Sequence, residues 1–296
     1  MSVEVARIAP EWVALREPTD AGAASFDVAR VTPEWLALRE PADAAARSVA
    51  LVDRVAPRLP AVGPLVVHDL GGGSGAMGRW LGRRLCGPQH WIVHDRDADL
   101  FEAALANPPG PAADGAAVTV ETRSSDITRL APDDLADARL ITASALLDML
   151  TADELHAMLG ACTAVGCPIL IALTVVGRVL LTPADPLDAH IAAAFDAHQR
   201  RTTLAGRLLG PDAVAETVAQ LRGTGVEVLL RPSPWRLGAG HAALTAEWLA
   251  GWVGAACEQE PSLAEDADSY LERRMAEVWA GELRVMVDHA DLLVLP

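Results

Sequence analysis

An apolar run that ends in an acidic residue and a glycine-rich turn limits the possible folds of this chain more than any other part of its sequence. Residues 66–75 read Val-Val-His-Asp-Leu-Gly-Gly-Gly-Ser-Gly. The apolar residues predict a buried strand, and the pattern after Gly75 predicts a helix. Glycines let the backbone turn sharply and approach a ligand closely, while the N-terminus of the following helix presents free amide hydrogens. The motif predicts a ligand site at the end of a buried strand.

Strand-like and helix-like segments alternate from residue 64 onward. Strands are predicted at residues 65–70, 90–95, 117–123, 139–143, 168–174 and 226–231, with a last strand at 283–287 or 291–295. Helices are predicted at residues 76–85, 98–106, 152–162 and 213–222. This alternation is typical of a doubly wound, mostly parallel α/β sheet with helices on both faces.

Two segments are longer than ordinary connections between elements. Residues 182–212 follow the fifth strand, and residues 235–281, which have the pattern of a helical pair, follow the sixth. Both insertions are expected above the carboxyl edge of the sheet, where doubly wound folds bind their ligands. We therefore expect a ligand-binding domain over residues 61–296, with a substrate pocket built by these two helical insertions.

The N-terminal region, residues 1–60, contains a duplicated segment: residues 5–21 recur with few changes as residues 28–44. In the second copy Thr32 can cap a helix that has Pro33 at its first position, and Asp43 is expected to cap a further helix over residues 44–59. We expect this second copy to form a helical cap over the ligand site. The first copy is expected to be peripheral, or to dock on a neighbouring molecule in a homodimer.

Two cofactors compete for the glycine-rich turn. The spacing of Gly73, Gly75 and Gly78, with Asp95 about 20 residues further on, satisfies the dinucleotide fingerprint and keeps an NAD-dependent oxidoreductase open. Asp69 disfavours NAD, since a carboxylate just before the turn repels a pyrophosphate. It suits instead a cofactor that carries a cationic amino group. A non-catalytic cofactor-binding protein is a third alternative.

With this acid and these glycines the sequence resembles the class I, Rossmann-like family of S-adenosylmethionine-dependent methyltransferases. Its first motif is matched by Asp69, Gly71, Gly72, Gly73 and Gly75. The resemblance implies that the turn wraps the methionine end of S-adenosylmethionine and that Asp69 orders its amino group. It also implies that a methyl group passes to a small-molecule acceptor by in-line displacement, leaving S-adenosylhomocysteine.

Three later segments extend the resemblance. At the tip of the second strand, Asp95 corresponds to the acid that binds the ribose hydroxyls, with Arg96 beside it and Asp97 as the fallback. After the third strand, the resemblance implies that Asp126 takes the adenine amino group and Ile127 holds the ring. At the end of the fourth strand, Ser144 is expected to line the methionine and methyl end of the site.

The residues that would act on the acceptor are less well defined by the sequence. His190 and His198 lie eight residues apart in a segment that, if helical, places them on a shared face. A histidine has a pKa suited to removing a proton from an acceptor. Asp148, just before a predicted helix, is the third candidate for a catalytic role.

Composition excludes several classes of function. The formal net charge of -16 makes a nucleic-acid partner unexpected, because binding a phosphate backbone needs clustered basic residues. The chain contains no lysine, so a Schiff-base or P-loop lysine is excluded. No spacing of His, Cys, Asp or Glu predicts a metal site. With no spanning apolar run and no signal-like N-terminus, we expect a cytoplasmic protein without a membrane partner.

Overall fold

A computed structural model describes residues 32–60 and 63–296 of the chain. Its helices are α1 (Pro33–Ala46), α2 (Val49–Val55), α3 (Ala76–Gly82), α4 (Asp99–Ala106), α5 (Ala152–Val165), α6 (Asp188–Gln199), α7 (Ala213–Leu221), α8 (Ala242–Gln259) and α9 (Ala264–Trp279). Its strands are β1 (Leu65–Leu70), β2 (Gln89–Asp95), β3 (Val118–Ser124), β4 (Leu140–Ser144), β5 (Ile169–Thr182), β6 (Thr202–Thr203), β7 (Gly206–Arg207), β8 (Glu227–Pro232), β9 (Trp235–Leu237) and β10 (Arg284–Leu295).

The central sheet has the strand order β3-β2-β1-β4-β5-β10-β8, with β9 also paired to β10. Strands β1 to β5 pair in parallel, whereas β10 runs antiparallel to β5, β8 and β9. The order of the first five strands is that of a doubly wound fold, and the chain reverses direction across the sheet between β1 and β4. Ligands of such sheets bind at this point, outside the carboxyl ends of the strands.

Helices cover both faces of the sheet, as the alternating pattern predicts. Leu51 of α2 and Leu81 of α3 share one buried cluster with Val67 of β1. On the other face, Leu155 of α5 packs in a separate buried cluster with Ile141 of β4. The predicted doubly wound, mostly parallel architecture is therefore present.

The last strand differs from both alternatives that the sequence offers. Residues 284–287 and 291–295 belong to one strand, β10, whose register shifts twice along β5. The polar residue that interrupts its apolar pattern, Asp291, is buried because it accepts hydrogen bonds from the amides of Leu173 (2.8 Å) and Ser48 (2.7 Å). The fifth strand is also longer than predicted and continues to Thr182.

The start of α1 agrees with the capping prediction, but the role predicted for Asp43 is wrong. Thr32 accepts a hydrogen bond from the amide of Trp35 at 3.2 Å, with Pro33 in the first turn. Helix α1 then continues through Asp43, whose carboxylate accepts hydrogen bonds from Arg39 (3.0 Å) and from the indole of Trp235 (2.9 Å). It caps no following helix, so the predicted helix over residues 44–59 does not form as one unit.

Helix α1 ends at Ala46, and Arg47 has a non-helical backbone, with φ of -55° and ψ of 138°, before α2 begins. The amide of Ser48 at this break is bound by Asp291 of the distant strand β10. A side chain from the sheet thus provides the acceptor that a local cap would otherwise supply. This break turns the side chain of Arg47 into the molecule, where it is buried.

The two insertions fold as the sequence predicts, with additions. The second contains the helical pair α8 and α9 after the short strand β9, and the first contains α6 followed by the hairpin of β6 and β7. Tyr270 of α9 and Leu249 of α8 share a buried cluster with Ile191 of α6. In the described ranges no helix is both long and apolar enough to cross a bilayer.

Candidate active site

A cavity of about 500 Å³ lies at the carboxyl ends of β1, β2, β3 and β4. Its lining includes eight of the residues that the sequence predicts for the cofactor: Asp69, Gly71, Gly72, Gly73, Asp95, Arg96, Ile127 and Ser144. These residues come from four separate segments of the chain. The sheet brings them together because the carboxyl ends of parallel strands meet at one edge.

The glycine-rich turn forms the floor of this cavity. Gly71 and Gly73 have left-handed backbone angles, with φ of 61° and 53°. A Cβ atom at Gly72 would lie 2.6 Å from Oδ2 of Asp69, so no larger residue fits there. Gly75, which precedes α3 with φ of 79°, lies outside the cavity lining and has a structural role.

Asp69 is the most unusual group in the cavity. Its side chain is fully buried, and Oδ1 accepts a hydrogen bond of 2.7 Å from the hydroxyl of Thr142. Oδ2 has no hydrogen-bond partner among the residues that the structure describes. Burial raises the pKa of Asp69 to about 6, although the bond from Thr142 and the charge of Arg47 act in the opposite direction. An unpaired buried oxygen is costly, and a ligand donor would satisfy it.

Arg47 places a buried cation in the same cavity. Its Nη2 donates to Oγ of Ser144 at 3.1 Å and its Nη1 to the carbonyl of Ala76 at 3.5 Å, while Nε has no partner in the described part of the chain. The nearest carboxylate is that of Asp43, at 4.0 Å. Burial lowers its pKa, but an arginine keeps its charge in proteins. The sequence gives no signal for Arg47, because it lies outside every motif and reaches the cavity only through the break after α1.

Asp95 lies at the tip of β2, as predicted, and supports the glycine-rich turn. Its Oδ2 accepts from the amide of Gly73 and its Oδ1 from the amide of Asp97, both at 3.0 Å. A carboxylate has about four lone-pair positions, so both oxygens can still accept hydroxyl groups. Asp97, the alternative predicted at this position, also lines the cavity, and its Oδ1 accepts from the amide of Asp99 at the start of α4.

The structure does not support the prediction that Asp126 contacts the ligand. Its carboxylate accepts from the amide of Thr128 at 3.1 Å and from the hydroxyl of Thr128 at 2.7 Å. These bonds, with the hydroxyl's the stronger, lower the pKa of Asp126. It caps a short 3-10 turn instead of lining the cavity, a common use of aspartate, whereas its neighbours Ser125 and Ile127 do line it.

The two histidine candidates lie away from the cavity. Both are on α6 and share a face, as the spacing indicates. Nε2 of His198 lies 3.2 Å from Glu258, and Nε2 of His190 lies 3.3 Å from Glu260, at the end of α8. Neither His190 nor His198 lines the cavity, so their positions favour a link between helices over a catalytic role.

Asp148, in contrast, faces a second cavity of about 280 Å³. This cavity shares Arg96 and Met149 with the larger one and is also lined by Arg201. Burial raises the pKa of Asp148, although its own backbone amide and nearby arginines oppose the rise. Of the three predicted catalytic residues, Asp148 is therefore the one placed beside the candidate site.

Helix α1 lies over the glycine-rich turn. Leu36, Arg39 and Asp43 line the large cavity, and a Cβ atom at Gly73 would lie 3.3 Å from Leu36. This is the position expected for a covering helix, and its role as a lid stays a prediction. The first copy of the duplication, residues 5–21, lies outside the described residues.

Within residues 32–60 and 63–296, no group of three or more His, Cys, Asp or Glu is arranged to hold a metal ion.

Comparison with known proteins gave matches among solved structures alone. No family model matches the chain, and no curated protein matches it. The solved structures include a cyclopropane-fatty-acyl-phospholipid synthase-like protein from Lactobacillus casei, with 15% identity, coverage of 89% of this chain and 92% of that chain, and a TM-score of 0.49. The cyclopropane synthase MmaA2 from Mycobacterium tuberculosis has 13% identity, 84% coverage of each chain and a TM-score of 0.44.

A third solved structure is an S-adenosylmethionine-dependent methyltransferase from Geobacter sulfurreducens in complex with S-adenosyl-L-homocysteine. It has 17% identity, covers 90% of this chain and 92% of that chain, and has a TM-score of 0.39.

Proposed function

We propose that this protein is an S-adenosylmethionine-dependent methyltransferase that acts on a small molecule. The observation that carries the proposal is the pair of incompletely bonded buried charges in one cavity, Asp69 and Arg47. An amino acid end carries an ammonium and a carboxylate, which are the two groups that such a pair can satisfy. S-adenosylmethionine has this end, together with a ribose and an adenine.

The rest of the cavity suits the remaining parts of this cofactor. Asp95 offers lone pairs to the ribose hydroxyls at the tip of β2, and Ile127 and Leu100 supply apolar surface for the adenine ring. Asp69 would hold the amino group and Arg47, which reaches Ser144, the carboxylate. When bound, S-adenosylmethionine supplies a methyl group activated by its sulfonium charge. The protein then contributes mainly by orienting the reactants and excluding water.

The second cavity is our proposed acceptor site. Its volume, about 280 Å³, suits a small molecule, and it adjoins the cofactor cavity at Arg96 and Met149. Asp148 lies in it with a raised pKa, which makes its carboxylate a stronger base than an exposed aspartate. Where the acceptor must lose a proton, we propose that Asp148 accepts it.

An NAD-dependent oxidoreductase is disfavoured by the turn itself. Three amides of the turn are already used within the protein: that of Gly72 donates to the carbonyl of His94, that of Gly73 to Asp95 and that of Gly75 to the carbonyl of Gly72. A dinucleotide fold needs such amides for the pyrophosphate. The buried carboxyl of Asp69 beneath the turn opposes that anion as well.

Calorimetry with S-adenosylhomocysteine and NAD as separate ligands tests the proposal. We expect binding of S-adenosylhomocysteine and none of NAD at the same concentrations. Asp69→Asn, which keeps the shape of the side chain and removes its charge, should weaken binding of S-adenosylhomocysteine. Binding of NAD with no response to S-adenosylhomocysteine would overturn the proposal in favour of the oxidoreductase.

A further inference from the structure

Four hydrogen-bonded side chains connect the protein surface to the cofactor cavity. Oδ1 of Asp137 lies 2.9 Å from Nε2 of His68, Nδ1 of His68 lies 2.9 Å from Nε2 of His94, and Nδ1 of His94 lies 2.9 Å from Oγ of Ser125. The two histidines are buried on neighbouring strands, β1 and β2, with their rings stacked 5.1 Å apart. Asp137 is exposed at one end of this chain, and Ser125 lines the cavity at the other.

The chemistry of the four side chains decides which atom donates and which accepts in each of these hydrogen bonds. Asp137 is ionised, because the bond from His68 lowers its pKa against the opposing effect of partial burial. A carboxylate only accepts, so Nε2 of His68 carries the hydrogen and Nδ1 of His68 accepts from Nε2 of His94. Nδ1 of His94 is then also an acceptor, and at 2.9 Å it takes the hydroxyl hydrogen of Ser125 in preference to the carbonyl of Arg123 at 3.4 Å.

Both histidines must be neutral for this arrangement, and burial favours that state. Burial lowers the pKa of His94 to about 4, with the charges of His68 and Arg123 acting in the same direction. It also lowers the pKa of His68, despite the bond to Asp137. At neutral pH the hydrogen of the Ser125 hydroxyl is therefore used in the bond to His94, and Oγ can act toward a ligand only as an acceptor.

The resemblance to the methyltransferase family assigns the adenine amino group to Asp126, but that carboxylate caps the turn at Thr128. Ser125 is its immediate neighbour, follows β3, and lines the cavity beside Ile127. An oxygen that can only accept attracts a 6-amino group and repels a 6-oxo group. The position of Ser125 and its role as an acceptor therefore both suit it to bind the adenine amino group, which Asp126 does not face.

We propose that Ser125, held as an acceptor by His94, His68 and Asp137, selects a purine with a 6-amino group over one with a 6-oxo group. This inference rests on the proposed function, since it concerns the adenine end of the same cofactor. Ser125 is the residue that contacts the ligand, and the other three are positioning residues.

The test compares the dissociation constants of S-adenosylhomocysteine and S-inosylhomocysteine, which has a 6-oxo group in place of the amino group. We expect the wild-type protein to prefer S-adenosylhomocysteine by about tenfold, the size of one hydrogen-bond difference. Ser125→Ala should bring this ratio close to one. Asp137→Ala removes the acceptor that fixes the tautomer of His68, so the hydrogen bonds from His68 to Ser125 can reverse direction. Ser125 can then donate to the 6-oxo group, and binding of S-inosylhomocysteine should become tighter than in the wild type.

Two variants serve as matched controls. Asp133→Ala removes an equal charge from the same surface without a bond to either histidine, and it should leave the ratio unchanged. Asp126→Asn should also leave the ratio unchanged. A ratio unaffected by Ser125→Ala, or one abolished by Asp126→Asn, would overturn the inference while leaving the proposed function intact. Failure of the wild-type protein to bind either compound would overturn both.

The tautomers can also be measured directly. Long-range nitrogen-proton NMR correlations of protein labelled with ¹⁵N-histidine distinguish a hydrogen on Nε2 from one on Nδ1. We expect both His68 and His94 to be neutral and to carry the hydrogen on Nε2. A hydrogen on Nδ1 of His94 would mean that Ser125 does not donate to it, and would contradict the proposed polarity.

Discussion

Asp69 and Thr142 are register partners on the neighbouring strands β1 and β4, and the hydroxyl of Thr142 donates to Oδ1 of Asp69 at 2.7 Å. The sheet therefore satisfies one oxygen of a fully buried carboxyl and leaves Oδ2 without a partner. This arrangement makes Asp69 costly to the unliganded protein and useful to a cationic ligand. The first two predictions follow from it.

Removing the charge of Asp69 should stabilise the protein without ligand. Because burial raises the folded-state pKa to about 6, above its ordinary value, ionisation of Asp69 costs stability as the pH rises through that range. Asp69→Asn should therefore be more stable than the wild type at pH 7, by roughly 1–3 kcal/mol. Urea unfolding at several pH values measures this difference, which should disappear below about pH 4. A variant less stable at pH 7 than at pH 4, relative to the wild type, would contradict the assignment.

Binding of S-adenosylhomocysteine should depend on the ionisation of the same group. The ammonium of the ligand pairs with the carboxylate form, so affinity should fall as the pH drops below about 6. The limiting slope for one proton is about tenfold per pH unit. Calorimetry between pH 5 and 8 measures it, and 5′-methylthioadenosine, which lacks the amino acid end, serves as the control without this dependence. Parallel pH profiles for the two ligands would count against the pairing.

The buried guanidinium of Arg47 should bind the carboxylate of the ligand. Arg47→Met keeps much of the apolar volume and removes the donors, so affinity for S-adenosylhomocysteine should fall by roughly 10- to 100-fold, as expected for a charged hydrogen bond. Affinity for 5′-methylthioadenosine should change little. Equal losses for both ligands would show that the substitution disturbs the whole cavity, and would remove the support for a carboxylate site.

The first copy of the duplicated segment should not contribute to the cofactor site. The second copy supplies Leu36, Arg39 and Asp43 to the cavity lining through α1. Deleting residues 2–24 leaves these in place, so the affinity for S-adenosylhomocysteine should remain within about twofold, a difference below 0.5 kcal/mol. A large loss of affinity would assign the first copy to the site, while a change of mass in solution from dimer to monomer would establish it as a swapped segment.

The insertion helices should be held together by a buried ion pair. Arg274 of α9 is buried and donates to both oxygens of Asp188 on α6, which also accepts from the hydroxyl of Tyr270 at 2.7 Å. Arg274→Ala removes the charged partner of a partly buried carboxylate that keeps its bond from Tyr270, and it should cost about 1.5–3 kcal/mol of unfolding free energy. The adjacent pair of Arg273 with Asp185 is more exposed, so Arg273→Ala should cost under about 1 kcal/mol. Equal losses of unfolding free energy in the two variants would show that the Arg274 pair is no more stabilising than the exposed Arg273 pair.

The sequence predicts the residues that depend on local pattern and misses those that depend on tertiary contacts. Asp69 and Asp95 line the cavity because they lie at the carboxyl ends of β1 and β2, whose apolar runs are visible in the sequence. Asp126 bonds to Thr128 instead of lining the cavity, because an aspartate after a strand can turn toward its own neighbours or toward the cavity, and the sequence pattern is the same in both cases. Arg47 is missed because its position depends on a helix break held by Asp291 from the far end of the chain.

The same distinction applies to the fold. The parallel strands and their helices follow from periodicity, whereas the length of β10 does not. Its apolar pattern is interrupted at Asp291, and only the hydrogen bonds to Leu173 and Ser48 explain why a carboxylate is buried in the middle of a strand. Polar residues satisfied by distant partners are therefore where the sequence-based prediction and the structure differ.

A crystal structure of the complex with S-adenosylhomocysteine would show whether Asp69, Arg47 and Asp95 hold the ligand. The proposed function predicts the amino group within hydrogen-bond distance of Oδ2 of Asp69, the carboxylate on Arg47, and the ribose hydroxyls on Asp95. A ligand whose amino acid end lies away from both Asp69 and Arg47 would contradict the proposed function.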